Sequence, residues 1–280
     1  MIIDGKAIAT KRLEELGRKV VRLRVKPKLA AIIVGDDPGS EMYVRMKAKR
    51  AGEVGIVSEV IRFKTNVSGS ELIKQIQELN DDRTVTGILV QLPLPGSLNT
   101  EEVLQAINPK KDVDGLTGKS QFLPATVKAV LICLESALEI DAKQNRAIVQ
   151  NGLANYLKGK ITTVIGQGKL VGKKLADYLE GKGLRVRRCD INTRDLSLVT
   201  READVLVVAT GVSNLIKADM VKPGAIVIDC GAPKAEVDFD EVSKVALAIT
   251  PVPGGVGPLT VVSLLENTLE AYGRRESSQE

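Results

Sequence analysis

Apolar side chains recur along this chain with two alternating periods: short unbroken runs, then stretches spaced three and four apart. Leu29 to Val34 predicts a buried strand, Ile56 to Phe63 a second strand, and Val85 to Gln91 a third, buried one. Between them, helical spacing predicts helices over Ala7 to Leu23, from a Ser40 cap to about Val54 with Gly55 as the stop, and over Ser70 to Leu79. Thr100-Glu101-Glu102 opens a further helix with acids in its first turn. After a loop-like stretch from Asn108 to Thr126, Val127 to Leu138 reads as a helix linking two regions. A second alternation follows, with strands at Lys160 to Ile165, Leu184 to Cys189, Asp204 to Ala209 and Ala225 to Asp229, and a helix over Leu170 to Lys182. Leu259, Val262, Leu265 and Leu269 mark a last helix, and the polar tail Arg274 to Glu280 reads as frayed. Strands alternating with helices imply parallel sheets with right-handed crossovers, hence an α/β protein of two domains. The polar stretch Asp141 to Gly159 reads as an insertion.

Composition sharpens this picture. With 280 residues, 44% of them hydrophobic, the chain can bury two cores, and 2% aromatics leave packing to Val, Ile, Leu and Ala. The net charge of +5 favours an anionic small molecule over nucleic acid, because no basic stripe stands out and bases have little to stack on. Cys133, Cys189 and Cys230 form no CxxC, which points to a reduced, cytoplasmic setting. Leu29 to Val34, the longest apolar run near the N-terminus, is too short to span a bilayer, so no membrane role is expected. There is no histidine. Ser-His-Asp hydrolysis and His-ligated zinc are therefore excluded, and proton transfer falls to Lys, Asp, Glu, Tyr or Cys.

Four features carry candidate chemistry. From Ile249 to Thr260, six residues are Gly or Pro, ahead of the last helix; a side-chain-poor loop there lets a flat or anionic ligand approach the backbone. Gly166-Gln167-Gly168, followed by Gly172, lies between a strand and a helix and suits a pyrophosphate, although its GxGxxxG spacing exceeds the usual dinucleotide fingerprint by one. Asp190 ends the next strand, where it either binds ribose hydroxyls or shapes a turn ahead of the helix near Asp195. Tyr43 and Lys47 are four apart on one helix, either as a buried base with its neighbour or as part of the solvated cationic face with Arg45, Lys49 and Arg50. Gln91 ends a buried strand, and Asp112 and Asp114 sit in a turn-like segment that could equally bind an amino-substituted ring.

Tyr43-x-x-x-Lys47, Gly87-Ile88-Leu89-Val90-Gln91-Leu92-Pro93-Leu94-Pro95, Lys111-Asp112-Val113-Asp114-Gly115 and the Thr250 to Pro258 loop together resemble the methylenetetrahydrofolate dehydrogenase/methenyltetrahydrofolate cyclohydrolase family. The resemblance implies oxidation of 5,10-methylenetetrahydrofolate with NAD or NADP and hydrolysis of the methenyl product to the 10-formyl form. It implies a folate domain of three α/β layers over 1–125 with 259–280, a Rossmann-like cofactor domain over 126–258, and a cleft between them. Lys47 then matches the catalytic lysine, Tyr43 an active-site tyrosine, Gln91 the lysine's hydrogen-bond partner and Asp114 the pterin anchor. Leu92, Pro93, Pro253, Gly254 and Gly255 would complete the substrate site. Gly166, Gln167, Gly168, Gly172, Asp190, Ile191, Thr210, Gly211 and Ala232 would bind the cofactor. A homodimer acting on tetrahydrofolate derivatives, with no metal, is implied as well.

The chain departs from the family pattern in places. Gln167-Gly168 stands where many members carry Arg-Ser, and Asp190-Ile191 where they commonly carry His-Ser. Both changes remove groups suited to a 2′-phosphate, so NAD is expected over NADP. Pro124-Ala125-Thr126-Val127 replaces the usual Pro-Cys-Thr-Pro. Two other readings are a dehydrogenase that has lost the hydrolytic step, which the retained Lys47 opposes, and a nucleotide-binding regulatory module without turnover, which leaves Tyr43, Lys47, Gln91 and Asp114 unexplained.

Overall fold

The computed structural model describes residues 1–144 and 152–277. Two compact units emerge: Met1–Ala9 with Thr126–Thr260, and Thr10–Ala125 with Val261–Glu280.

The unit built on Thr10–Ala125 carries a parallel sheet of order β2-β1-β3, from β1 (Lys28–Val34), β2 (Val57–Phe63) and β3 (Gly87–Val90). The strands of β1 and β3 are buried on both faces, which is why they read as unbroken apolar runs. Leu29, Ala31 and Ile33 face one core with α1 (Gly5–Val21), α2 (Pro38–Glu53) and the last helix, while Ala30, Ile32 and Val34 face a second with α3 (Gly69–Asp81) and α4 (Thr100–Gln105).

The chain then runs through α5 (Ala125–Gln144) and α6 (Gly152–Leu157). The other unit holds a five-stranded parallel sheet of order β5-β4-β6-β7-β8. Its strands are β4 (Thr162–Ile165), β5 (Val186–Cys189), β6 (Val205–Val208), β7 (Ile226–Asp229) and β8 (Ala248–Ile249), with helices α7 (Gly172–Gly181), α8 (Leu196–Thr200) and α9 (Phe239–Val242). Ile165, Leu206, Val208, Val227 and Ile249 pack together on one face. The final helix is α10 (Val256–Glu276).

Several expectations are corrected. Ser40 does not cap α2; Asp37 does, accepting the Ser40 N–H at 2.7 Å, with Pro38 opening the helix. An Asp followed by Pro outcompetes a Ser three residues on, because Pro is preset for the first turn. The last helix begins at Val256, taking Gly257 and Pro258 into its first turn, where the missing proline N–H costs nothing. Arg274 and Arg275 are not frayed: Arg274 stacks on Phe122 and Arg275 donates to the Arg83 carbonyl at 2.6 Å. Of the polar stretch Asp141 to Gly159, α5 takes the start and α6 the end, and residues 145–151 lie outside the described residues. Among the described residues, no helix is long and apolar enough to cross a membrane.

Candidate functional site

The helix α2 places Tyr43 and Lys47 one turn apart, Tyr43 half-buried and Lys47 only 9% exposed. Lys47 Nζ donates to Gln91 Oε1 at 2.9 Å. Gln91 directly follows β3, and its own N–H donates to the Ile32 carbonyl at 2.8 Å. Its Nε2 donates to the Leu92 carbonyl at 2.7 Å, which orients the amide so that its oxygen faces the lysine. Burial holds the Lys47 ammonium below the ordinary lysine range, and the nearby charge of Asp114 opposes that shift. Of the two readings for Lys47, the solvated cationic face is therefore excluded, whereas Arg45, Lys49 and Arg50 are exposed.

Asp112 and Asp114 part company. Asp112 is buried, and its carboxylate accepts the N–H groups of Gly115 (3.0 Å), Leu116 (3.1 Å) and Thr117 (2.9 Å). It is the turn former. Asp114, half-buried, is carried on the loop that Asp112 fixes and lies within electrostatic reach of Lys47. Leu92 is half-buried and Pro93 exposed after a cis peptide. The structure thus brings Lys47, Gln91 and Asp114 together at the C-terminal end of the small parallel sheet, where ligands of such sheets bind.

The other unit carries the glycine-rich turn. Gly166 has φ +89°, and a Cβ there would lie 2.1 Å from the Ala209 carbonyl oxygen; one on Gly172 would lie 1.7 Å from the Gly166 oxygen. Both positions therefore exclude any side chain on packing grounds alone. Gly168 differs, since a Cβ there meets nothing within 4 Å. The helix α7 begins at Gly172 with no side-chain cap, although the Lys173 N–H already donates to the Gly168 carbonyl at 3.2 Å. Ile165 pairs with Cys189, which sets Gly166 beside Asp190 at neighbouring strand ends. Asp190 is exposed; its Oδ1 accepts the Asn192 N–H at 2.9 Å, so it does shape a turn. Among the described residues its Oδ2 receives no hydrogen bond. Ile191 is 99% exposed, and Gln167 folds its amide onto the Val164 carbonyl at 3.1 Å. Open space at Gly168, a helix start with no side-chain cap and a free carboxylate oxygen fit a nicotinamide dinucleotide.

Thr210 and Gly211 follow β6 and are tied to Glu236, a buried carboxylate that sequence reasoning missed. No spacing marks Glu236, because its partners lie some 25 positions away. Ala232 is exposed ahead of a cis Pro233. Gly254 has φ +113° and accepts the Lys6 N–H at 2.9 Å, so the loop through Pro253, Gly254 and Gly255 adjoins the start of α1.

A cavity of about 250 Å³ lies at the opposite end of β3 from Gln91, lined by Thr86, Lys111, Phe122, Arg274 and Arg275 among others. Lys111 and Arg274 are already committed. Lys111 Nζ donates to the carbonyls of Leu79, Asn80 and Asp82 at the end of α3, and Arg274 pairs with Glu270 at 2.6 Å.

Two family profiles match the chain. The profile for "Tetrahydrofolate dehydrogenase/cyclohydrolase, catalytic domain" matches residues 3–114, and that for the family's NAD(P)-binding domain matches residues 124–276. A bifunctional protein FolD from Streptococcus agalactiae is 41% identical, over 99% of both chains. The Campylobacter jejuni bifunctional FolD methylenetetrahydrofolate dehydrogenase/cyclohydrolase is 42% identical, with TM-score 0.88 over 98% of this chain and 99% of that one. A Trypanosoma brucei methylenetetrahydrofolate dehydrogenase-cyclohydrolase, solved with NADP and an inhibitor, is 31% identical with TM-score 0.86 over 98% of each chain.

Proposed function

This chain belongs to the tetrahydrofolate dehydrogenase/cyclohydrolase family, and on that premise we propose how its residues divide the work of two reactions. It is a bifunctional enzyme that oxidises 5,10-methylenetetrahydrofolate with a nicotinamide cofactor and hydrolyses the methenyl product to 10-formyltetrahydrofolate.

Lys47 is the proton carrier of the hydrolytic step. The observation behind this is a buried amine held 2.9 Å from a fixed amide oxygen and kept below its usual pKa. Burial shifts Lys47 toward the free amine, and a cationic methenyl group beside it would favour that form further. Water adds to the methenyl carbon, and the neutral amine takes the proton the water loses. One C–N bond of the bridge then breaks as the added hydroxyl becomes the formyl carbonyl; the ammonium returns its proton to the departing nitrogen, and the hydroxyl proton leaves to solvent. Gln91 accepts one Nζ–H and so aims the amine. Asp114 pairs with the amino and N–H donors of the pterin, a charge-assisted contact. Tyr43, Leu92 and Pro93 border the ring, and the Pro253 to Gly255 loop contributes to the substrate site.

In the oxidation, the substrate's nitrogen lone pairs drive a hydride from the methylene carbon, and the protein supplies orientation. The cofactor, when bound, accepts that hydride. Gly166, Gln167, Gly168 and Gly172 admit its pyrophosphate, Asp190 and Ile191 its adenosine ribose, and Thr210, Gly211 and Ala232 line the remainder. The folate site belongs to 1–125 with 259–280 and the cofactor site to 126–258. Asp190 and the neutral Gln167 favour NAD over NADP. The enzyme works as a homodimer in the cytoplasm, a reading that rests on the family resemblance.

The test is an assay of 5,10-methylenetetrahydrofolate oxidation with each cofactor, alongside decay of separately supplied methenyl substrate. Lys47→Ala is expected to abolish that decay while leaving the fold intact. Unchanged hydrolysis would remove Lys47 from the mechanism.

A further inference from the structure

Two buried carboxylates lace the C-terminal ends of β6, β7 and β8. Glu236 is 3% exposed, and Asp229, the last residue of β7, is 2% exposed. Glu236 Oε2 accepts both the N–H and the hydroxyl of Thr210, each at 2.6 Å, and Oε1 accepts the Gly211 N–H at 2.9 Å. Asp229 fixes Glu236 in turn, its Oδ2 accepting the N–H groups of Glu236 and Val237 at 2.9 and 3.0 Å and its Oδ1 that of Gly231 at 2.8 Å. Thr250, which follows β8, accepts the Asp229 N–H through its hydroxyl at 2.8 Å.

The arrangement has a chemical consequence. Both amide N–H groups of the Thr210–Gly211 turn are consumed by Glu236, so neither is offered to a phosphate. In a planar trans peptide the carbonyl points opposite the following N–H. The Ala209 oxygen accordingly turns toward the Gly166 backbone, and the Thr210 oxygen turns away from Glu236. A turn held this way leaves the Thr210 carbonyl as its outward acceptor, which matches the hydroxyl and carboxamide donors of a dinucleotide and not its pyrophosphate.

We propose that Glu236 is a positioning residue for the dehydrogenase step: it holds the Thr210–Gly211 turn with its N–H groups inward, so that the turn offers the Thr210 carbonyl oxygen to the donor groups of the nicotinamide cofactor. The proposal rests on the assignment of Thr210 and Gly211 to the cofactor site. Hydrolysis of methenyl substrate needs no nicotinamide and serves as the internal control.

Glu236→Gln replaces one acceptor oxygen by an NH2 group that confronts an N–H. The KM for NAD or NADP is expected to rise at least tenfold, with kcat for oxidation within about threefold and cofactor-free hydrolysis of methenyltetrahydrofolate within twofold. Glu236→Asp keeps both acceptors and should recover most of the loss in KM. A thermal melt and limited proteolysis of each variant report whether the cofactor unit is folded, and Glu236→Asp carries the test if Glu236→Gln does not fold. A cofactor KM unchanged in folded Glu236→Gln, or hydrolysis falling in parallel with oxidation, overturns the proposal. If the unmodified protein shows no nicotinamide-dependent oxidation at all, the assignment of the reaction fails instead.

Discussion

Lys47 and Gln91 form a buried amine–amide pair, Nζ to Oε1 at 2.9 Å, and the second hydrogen bond of Gln91 to the Leu92 carbonyl leaves that amide one orientation. The bond fixes one Nζ–H of the amine. Its proton affinity is set by two opposed influences, burial and the negative charge of Asp114.

Those influences give a pH prediction with a definite sign. Burial lowers the Lys47 pKa from its usual 10.5, and Asp114 raises it. Asp114→Asn removes only the second effect, so the pKa falls further. A step that needs the neutral amine speeds up as pH rises through that pKa, so the rise in hydrolysis should move to lower pH in the variant. Losing a charge-assisted contact of about 1.5–3 kcal/mol should also raise the folate KM by roughly tenfold to a hundredfold. A pH–rate profile of methenyl hydrolysis checks both, and a shift to higher pH would mean that the titrating base is another group.

The glycine-rich turn separates packing from ligand approach. Gly172→Ala drives a methyl into the Gly166 oxygen and should cost more than about 3 kcal/mol, visible as a large fall in the melting midpoint. Gly168→Ala points a methyl into open space and should change stability by less than about 0.5 kcal/mol. Its effect should appear in the cofactor KM, because the space it fills is the one proposed for the pyrophosphate. A Gly168→Ala variant with unaltered KM for both cofactors would mean that no ligand comes near that position.

What could be read from the sequence depends on whether a local period carried the information. The unbroken runs at Leu29 to Val34 and Asp204 to Ala209 mark central strands because both faces of each are covered. The Tyr43 and Lys47 pair is legible because 3.6 residues per turn puts positions four apart on one face. Burial is what separates Lys47 from exposed Lys49, and periodicity on a polar helix does not supply it. Asp112 and Asp114 are two apart in the same segment, and only three-dimensional hydrogen bonding shows that Asp112 is consumed by its own turn. Glu236 left no trace at all, since its partners are two strand ends away. β8 has two residues and α9 four, too short for either period to register.

Asp190 gives a prediction about cofactor choice. Its Oδ1 is engaged by the Asn192 N–H, and Asp190→Asn keeps an oxygen for that contact. What the substitution removes is negative charge at the end of β5, where a 2′-phosphate would have to sit. Relief of that repulsion should lower the KM for NADP by about tenfold, equivalent to about 1.4 kcal/mol, while loss of the Oδ2 acceptor for the ribose hydroxyls should raise the KM for NAD. Matched steady-state assays check it, and an unmodified enzyme that already prefers NADP would show that the carboxylate does not govern the choice.

Asn267 links the last helix to the loop that carries Asp114, and its removal should be felt in both stability and substrate binding. The residue is 1% exposed, and its Nδ2 donates to the Val113 and Leu123 carbonyls, each at 2.9 Å. Val113 is itself fully buried, so water cannot replace the lost donor at that carbonyl. Asn267→Leu keeps the branching at Cγ but strands the buried Val113 acceptor, at about 1–3 kcal/mol, and the part-buried Leu123 acceptor at about 1 kcal/mol. A total loss of roughly 2–4 kcal/mol is expected in denaturant unfolding. Because the Val113 carbonyl belongs to the peptide that leads into Asp114, the same variant should raise the folate KM. Thr268→Val is the matching control: Thr268 is equally buried, but its hydroxyl donates only to the Leu264 carbonyl one turn back, which keeps its helical partner. That change should cost under about 1 kcal/mol and leave the folate KM unaltered. Equal losses in the two variants would mean that burial in α10, and not the donor to Val113, sets the stability of this loop.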